Sequence, residues 1–252
     1  MWRKLRTLSK FEWQMTWADK SILFFTLIAP TIYFVVAAVN TNGHPLGTGN
    51  ALVQLTGYWA YIVLVGVLNG FEFGLINLRE TNFLKMFTVI AGDRRLIFYS
   101  NLAIQTLFIQ IEMVCFDAVV VALDPTTIQY LPDMAAALLL NFLLVPIIAG
   151  FTNFFLLMPI KGNTIALIVM GYIAVGMLLI NVSLPNEWAL NILLTSLNPC
   201  SYVVLFYAAF LNLAHATTGF NGTMLVVVGL FYLMVGYYPV RHMRLQSQTS
   251  RY

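Results

Sequence analysis

The chain has 252 residues, 60% of them hydrophobic and 9% charged, with a net charge of +3 and a mean hydropathy of +0.82. Soluble domains carry about a quarter charged residues, so these values exclude an ordinary soluble enzyme and predict an integral membrane protein built from spans of about 20 residues. They leave no room for a sizeable soluble domain, and no G-x-x-x-x-G-K-[ST] loop occurs, so any ATP hydrolysis is assigned to another chain.

Met1–Lys20 sets Leu5, Leu8, Phe11, Met15 and Trp17 among Arg3, Lys4, Arg6, Lys10 and Lys20. Aromatic groups interleaved with cations predict an amphipathic interfacial helix along the cytoplasmic membrane surface. The apolar run after it is long and lacks a small-residue cleavage site, so it is expected to remain as a span. That first span covers Ser21–Val39, with Pro30 as an expected kink whose freed carbonyl a neighbour must satisfy. Asn40–Asn50 is a turn-rich outer loop without Lys or Arg. The second span, Ala51–Gly70, carries Gln54, Tyr58 and Tyr61 at i, i+4 and i+7, a face with aromatic area and hydrogen-bonding groups.

Phe71–Ile97 holds Arg79, Glu80, Lys85, Asp93, Arg94 and Arg95, too many charges for hydrocarbon. Within it Phe83, Met86, Phe87 and Ile90 recur at i, i+3, i+4 and i+7, which predicts a short helix whose apolar face needs a partner. The Arg79-Glu80 pair, Lys85 beyond it and the basic turn resemble the cytoplasmic loop of ABC-2-type exporter permeases, with Ala91-Gly92 where that family usually has proline. The resemblance implies that Arg79, Glu80, Phe83, Lys85, Met86, Phe87 and Ile90 belong to a coupling helix that enters a groove on a separate ATPase. The plain alternative is an amphipathic loop at the membrane surface.

The third span, about Leu96–Leu123, contains Glu112 and Asp117, each costly in hydrocarbon unless hydrated, paired or protonated. Asn101, Gln105 and Glu112 fall on one helical stripe, and Thr106, Gln110 and Asp117 on another. Either stripe can face a polar cavity used by substrate or protons, or its carboxyl can be a hydrogen-bonded structural group. The fourth span, Met134–Met158, is interrupted by Pro146. After a tight inner turn at Pro159–Asn163, the fifth span, Thr164–Asn181, places Met170 and Met177 in register with Asn163 at seven-residue intervals, an adaptable apolar stripe.

Residues 184–223 contain an apolar run, Tyr202–Leu213, too short to cross about 30 Å. The segment is expected to form an outer re-entrant or interfacial helix pair broken at Asn198-Pro199. Phe220–Tyr238 is then the sixth span. All thirteen Lys and Arg fall on the inner side of this arrangement and none in the outer loops, so the positive-inside rule places both termini in the cytoplasm.

The expected fold is therefore an all-α integral membrane domain over 1–252: six transmembrane helices, an N-terminal interfacial helix (1–20), a coupling loop (71–97) and the re-entrant segment (184–223). The order of these features is similar to ABC-2-type permeases along nearly the whole chain. It implies a non-catalytic subunit of an exporter of amphiphilic compounds in the plasma membrane of a bacterial cell. The expected partners are two ABC ATPase copies, carrying ATP and magnesium, and a second permease, identical or not. In related exporters the second and fifth spans enclose the substrate path, so Gln54, Tyr58, Tyr61, Asn163, Met170 and Met177 are candidates, with Gln105, Glu112 and Asp117 from the third. The alternatives are a proton-coupled transporter using Glu112 or Asp117 and an exporter of a polysaccharide or lipid-linked glycan. Cys115, Cys200, His44, His215 and His242 have no metal-ligand spacing. The basic residues follow topology and leave nucleic-acid binding without support.

Overall fold

Helix periodicity accounts for every regular element of the computed structural model, which describes residues 2–18, 20–41, 46, 51–158, 162–179, 193–194, 196–211 and 222–242. In chain order the helices are α1 (Trp2–Ala18), α2 (Phe24–Asn40), α3 (Ala51–Glu80), α4 (Phe83–Ala91), α5 (Arg94–Leu123), α6 (Pro125–Leu157), α7 (Gly162–Leu178), α8 (Pro199–Phe210) and α9 (Gly222–Val240). Four of them, α3, α5, α6 and α9, are long and apolar enough to cross a membrane. Helices α2 and α7 have 17 residues each, about 25 Å at 1.5 Å per residue, slightly less than a hydrocarbon core of about 30 Å; one further helical turn, Lys20–Leu23, leads directly into α2. The 12 residues of α8 cover only about 18 Å.

Two helices are widened where the sequence requires it. Pro30 has no N–H, and the turn before it, Phe24–Ile28, is a π-helix. Carbonyls in this stretch find other donors: Thr31 Oγ1 donates to Leu27 O at 2.6 Å, and Tyr61 Oη to Phe25 O at 3.2 Å. In α3 the π-turn Gly66–Glu72 contains glycines at 66 and 70. A Cβ at Gly66 would lie 2.6 Å from Ile109 of α5, and one at Gly70 would meet Gln105. These glycines let α3 and α5 approach closely.

Helix α3 is the centre of the bundle and the most buried of the four long helices, and α9 is the least. Outward-facing Leu107, Ile111 and Val114 on α5, and Val227, Leu230 and Met234 on α9, form apolar stripes exposed on the chain, as lipid-facing positions would be. Helices α6 and α9 cross at Gly150 and Gly236, whose backbones touch. Asn198 begins α8 by accepting from Cys200 N at 3.1 Å, and its amide donates to Gly176 O of α7 at 2.9 Å. The break at Asn198-Pro199 is therefore real; most of the other half of the expected re-entrant pair lies outside the described residues.

Two elements differ in detail from the expected pattern. The helix of the second span does not stop near Gly70 but continues to Glu80, so the expected inner loop begins as helix. Arg79 explains the extension, because its buried guanidinium donates to Leu156 O at 3.2 Å and Met158 O at 3.1 Å. These are end-of-helix carbonyls of α6, where a cation also meets the negative end of the helix dipole. The N-terminal segment is helical as expected, yet it packs lengthwise on α5. Ser9 lies 3.0 Å from Ser100, Asn101 donates to Glu12 at 2.9 Å, and the Trp13 ring sits 4.6 Å from that of Phe108.

Candidate functional site

A groove of about 530 Å³ lies between α2, α3 and α7. Helix α2 contributes Ala29, Pro30 and Tyr33, α3 contributes Gln54, Gly57, Tyr58 and Tyr61, and α7 contributes Met177. The helical register of α3 explains its share, since 54, 57, 58 and 61 lie on one face. Tyr58 is fixed from behind by Phe34 and Phe116, with ring centroids at 5.7 and 5.3 Å. Tyr33 stands 6.1 Å from Tyr58 and is 69% exposed. A smaller cavity of about 200 Å³ shares Tyr61 and Met177 and adds Phe25, Asn69 and Met170. The expected stripes on the second and fifth spans thus come together. The side chain of Asn163 lies outside the described residues.

Gln105, Glu112 and Asp117 are not in this groove. All three are buried, in contacts between helices. Gln105 lies against Gly70 of α3. Glu112 accepts from Thr26 Oγ1 at 2.6 Å, and Asp117 from Trp59 Nε1 at 2.8 Å. One oxygen of Asp117 has no hydrogen-bond partner among the described residues. Each carboxyl is held by one neutral donor and faces a neighbouring helix.

The short helix α4 is bounded by two left-handed residues, Asn82 (φ 61°) and Gly92 (φ 86°), which turn the chain sharply at both ends. Leu84 is buried and Phe87 is half-buried, 4.9 Å from the Phe11 ring of α1. Phe83, Met86 and Val89 are exposed at 49%, 46% and 78%, with Lys85 exposed beside them. The apolar face predicted from Phe83, Met86, Phe87 and Ile90 is thus divided: Phe87 points inward, and Val89, off the expected spacing, joins the outer face. The side chain of Ile90 lies outside the described residues. Glu80 ends α3, half-buried, next to the internally bonded Arg79.

Sequence reasoning missed Tyr33 and Pro30 as groove residues, because α2 carries no polar stripe to draw attention to it, and Gly57 of α3, because a glycine has no side chain to mark a face. It also missed Glu12. This carboxyl is buried between α1 and α5, and burial pushes its pKa up to about 7, against an opposing hydrogen bond from Asn101. A lone acid flanked by Phe11 and Trp13 on an otherwise basic helix was the available signal. No group of His, Cys, Asp and Glu among the described residues could hold a metal ion. No family model, curated protein or solved structure matches the chain.

Proposed function

We propose that the chain is the membrane-spanning permease subunit of an ATP-driven exporter of the ABC-2 type, with a partner ATPase supplying ATP hydrolysis. The observation that carries this reading is α4: a helix between two membrane-length helices, braced on one side by Leu84 and Phe87 and presenting Phe83, Met86 and Val89 outward beside Lys85. Apolar side chains exposed on a stiff, charge-flanked helix fit a hydrophobic groove on another protein. In this reading α2, α3, α5, α6, α7 and α9 make six spans with both termini cytoplasmic, and α8 enters from the outer side without crossing. The groove between α2, α3 and α7 is the substrate path for an amphiphile. The subunit pairs with a second permease and two ATPase copies, and closure of the ATPases draws the α4 helices together and favours the outward-open state.

Proton coupling through Glu112 or Asp117 loses support from their positions, since neither reaches the groove. The test is purification of the tagged chain from its native membranes in mild detergent, followed by mass spectrometry of stoichiometric partners. A Walker-A ATPase should be retained by the native chain and lost from Phe83→Ser/Met86→Ser, while Lys10→Ala, on α1, keeps it. Absence of any ATPase under conditions that preserve other such complexes would overturn the reading.

A further inference from the structure

The groove between α2, α3 and α7 has a definite electrostatic character. Its walls hold three phenol rings, the Gln54 amide and the Met177 thioether, and no charged side chain among the described residues. Aromatic ring faces carry the negative end of a quadrupole and attract cations, most strongly where water is scarce. The hydroxyls of Tyr33 and Tyr58 and the amide of Gln54 are hydrogen-bonded to nothing among the described residues, so they can serve a ligand.

The acidic groups bonded to α2 and α3 add no positive charge. Glu112 is bonded to Thr26, one helical turn before Pro30, and Asp117 is bonded to Trp59, the residue after Tyr58. Neither carboxyl lines the groove. No Lys, Arg or His occurs in 24–40, 51–78, 96–123 or 162–179. These four stretches therefore offer no positive charge to a bound molecule, and charge interactions strengthen where the dielectric is low. An anion entering this groove would exchange its hydration for at most the neutral donors of Tyr33, Tyr58 and Gln54, with no cation in these stretches to balance its charge.

We propose that this groove binds lipophilic monocations of the quaternary onium class, in preference to neutral or anionic molecules of the same size. The proposal rests on the reading of the groove as a substrate path. Its volume of about 530 Å³ lies within the range of small-molecule sites.

The test is equilibrium dialysis of the purified chain in lipid nanodiscs against tetraphenylphosphonium, triphenylphosphine oxide and tetraphenylborate, with empty nanodiscs subtracting partition into lipid. The cation should bind about tenfold more tightly than either of the others. Tyr58→Phe should keep its affinity within about threefold, and Tyr33→Leu should weaken it about tenfold. Gly57→Trp should abolish binding: nothing lies within 4 Å of a Cβ at Gly57, so the indole can fill the groove without disturbing the bundle, and unchanged size-exclusion retention checks this. Equal binding of all three probes, still abolished by Gly57→Trp, would overturn the cation preference and leave the substrate path standing. Binding indifferent to Gly57→Trp would overturn both.

Discussion

Four carboxyl groups buried between helices each accept a hydrogen bond from a neutral side chain: Glu12 from Asn101, Glu72 from Thr152, Glu112 from Thr26 and Asp117 from Trp59. Glu12 lies on α1, outside the long apolar helices, and its pKa is raised from 4.5 to about 7, mainly by burial. A raised acid pKa means that the folded state holds the proton more tightly than the unfolded chain does. The associated stability is fully present below pH 4.5 and is lost as pH rises through about 7. The loss, on the order of 3 kcal/mol by linkage, falls on the contact of α1 with α5, where Trp13 and Trp17 pack on Phe108. Tryptophan emission in nanodiscs should therefore shift to the red between pH 5 and 8, by the linkage argument. Glu12→Gln should remove most of that shift, and a shift unaltered by the substitution would show that another group is responsible.

Helices in this bundle are distinguished by what their glycines touch. At Gly236 an added Cβ would run into the backbone of Gly150, which cannot move without separating α6 from α9. Gly236→Ala should cost about 1–3 kcal/mol through overpacking, seen as a lower melting temperature in nanodiscs. Gly57→Ala meets open space and should gain up to about 1 kcal/mol from helix propensity alone. Equal effects of the two substitutions would mean that the α6–α9 crossing is not close. Neither role was legible in the sequence, because a glycine in an apolar helix reads the same whether it faces lipid, a groove or another backbone. The short helix α4 was legible for the opposite reason: its apolar spacing and its charged flanks are both local.

The number of crossings is a property of the whole molecule and has a direct readout. If α2, α3, α5, α6, α7 and α9 all cross, Lys10, Lys85 and His242 share the inner side and Gln129 lies outside. If only the four helices of sufficient length cross, Lys10 and His242 fall on the side opposite Lys85. All four positions are exposed. Cysteines placed there singly in a Cys115→Ser chain should react with a membrane-impermeant thiol reagent on intact cells only at Gln129→Cys. Labelling of Lys10→Cys or His242→Cys from outside would refute the six-span arrangement.

The sequence by itself determined the all-helical character of the chain and where along it the long apolar helices fall. In hydrocarbon every backbone polar group must be satisfied within its own segment, so a run of apolar residues has one structural outcome. It also located the break at Asn198-Pro199, since proline and an Asx cap act on their immediate neighbours. Which polar stripe faces which neighbour was decided only in the tertiary structure. Gln54, Tyr58, Tyr61 and Met177 converge on one groove, whereas Gln105, Glu112 and Asp117 turn to Gly70, Thr26 and Trp59. The same holds for Arg79, whose partners Leu156 and Met158 lie far along the chain. Lateral packing in a membrane is set by close van der Waals fit and interhelical hydrogen bonds, and these depend on the rotation of each helix, which hydropathy does not encode.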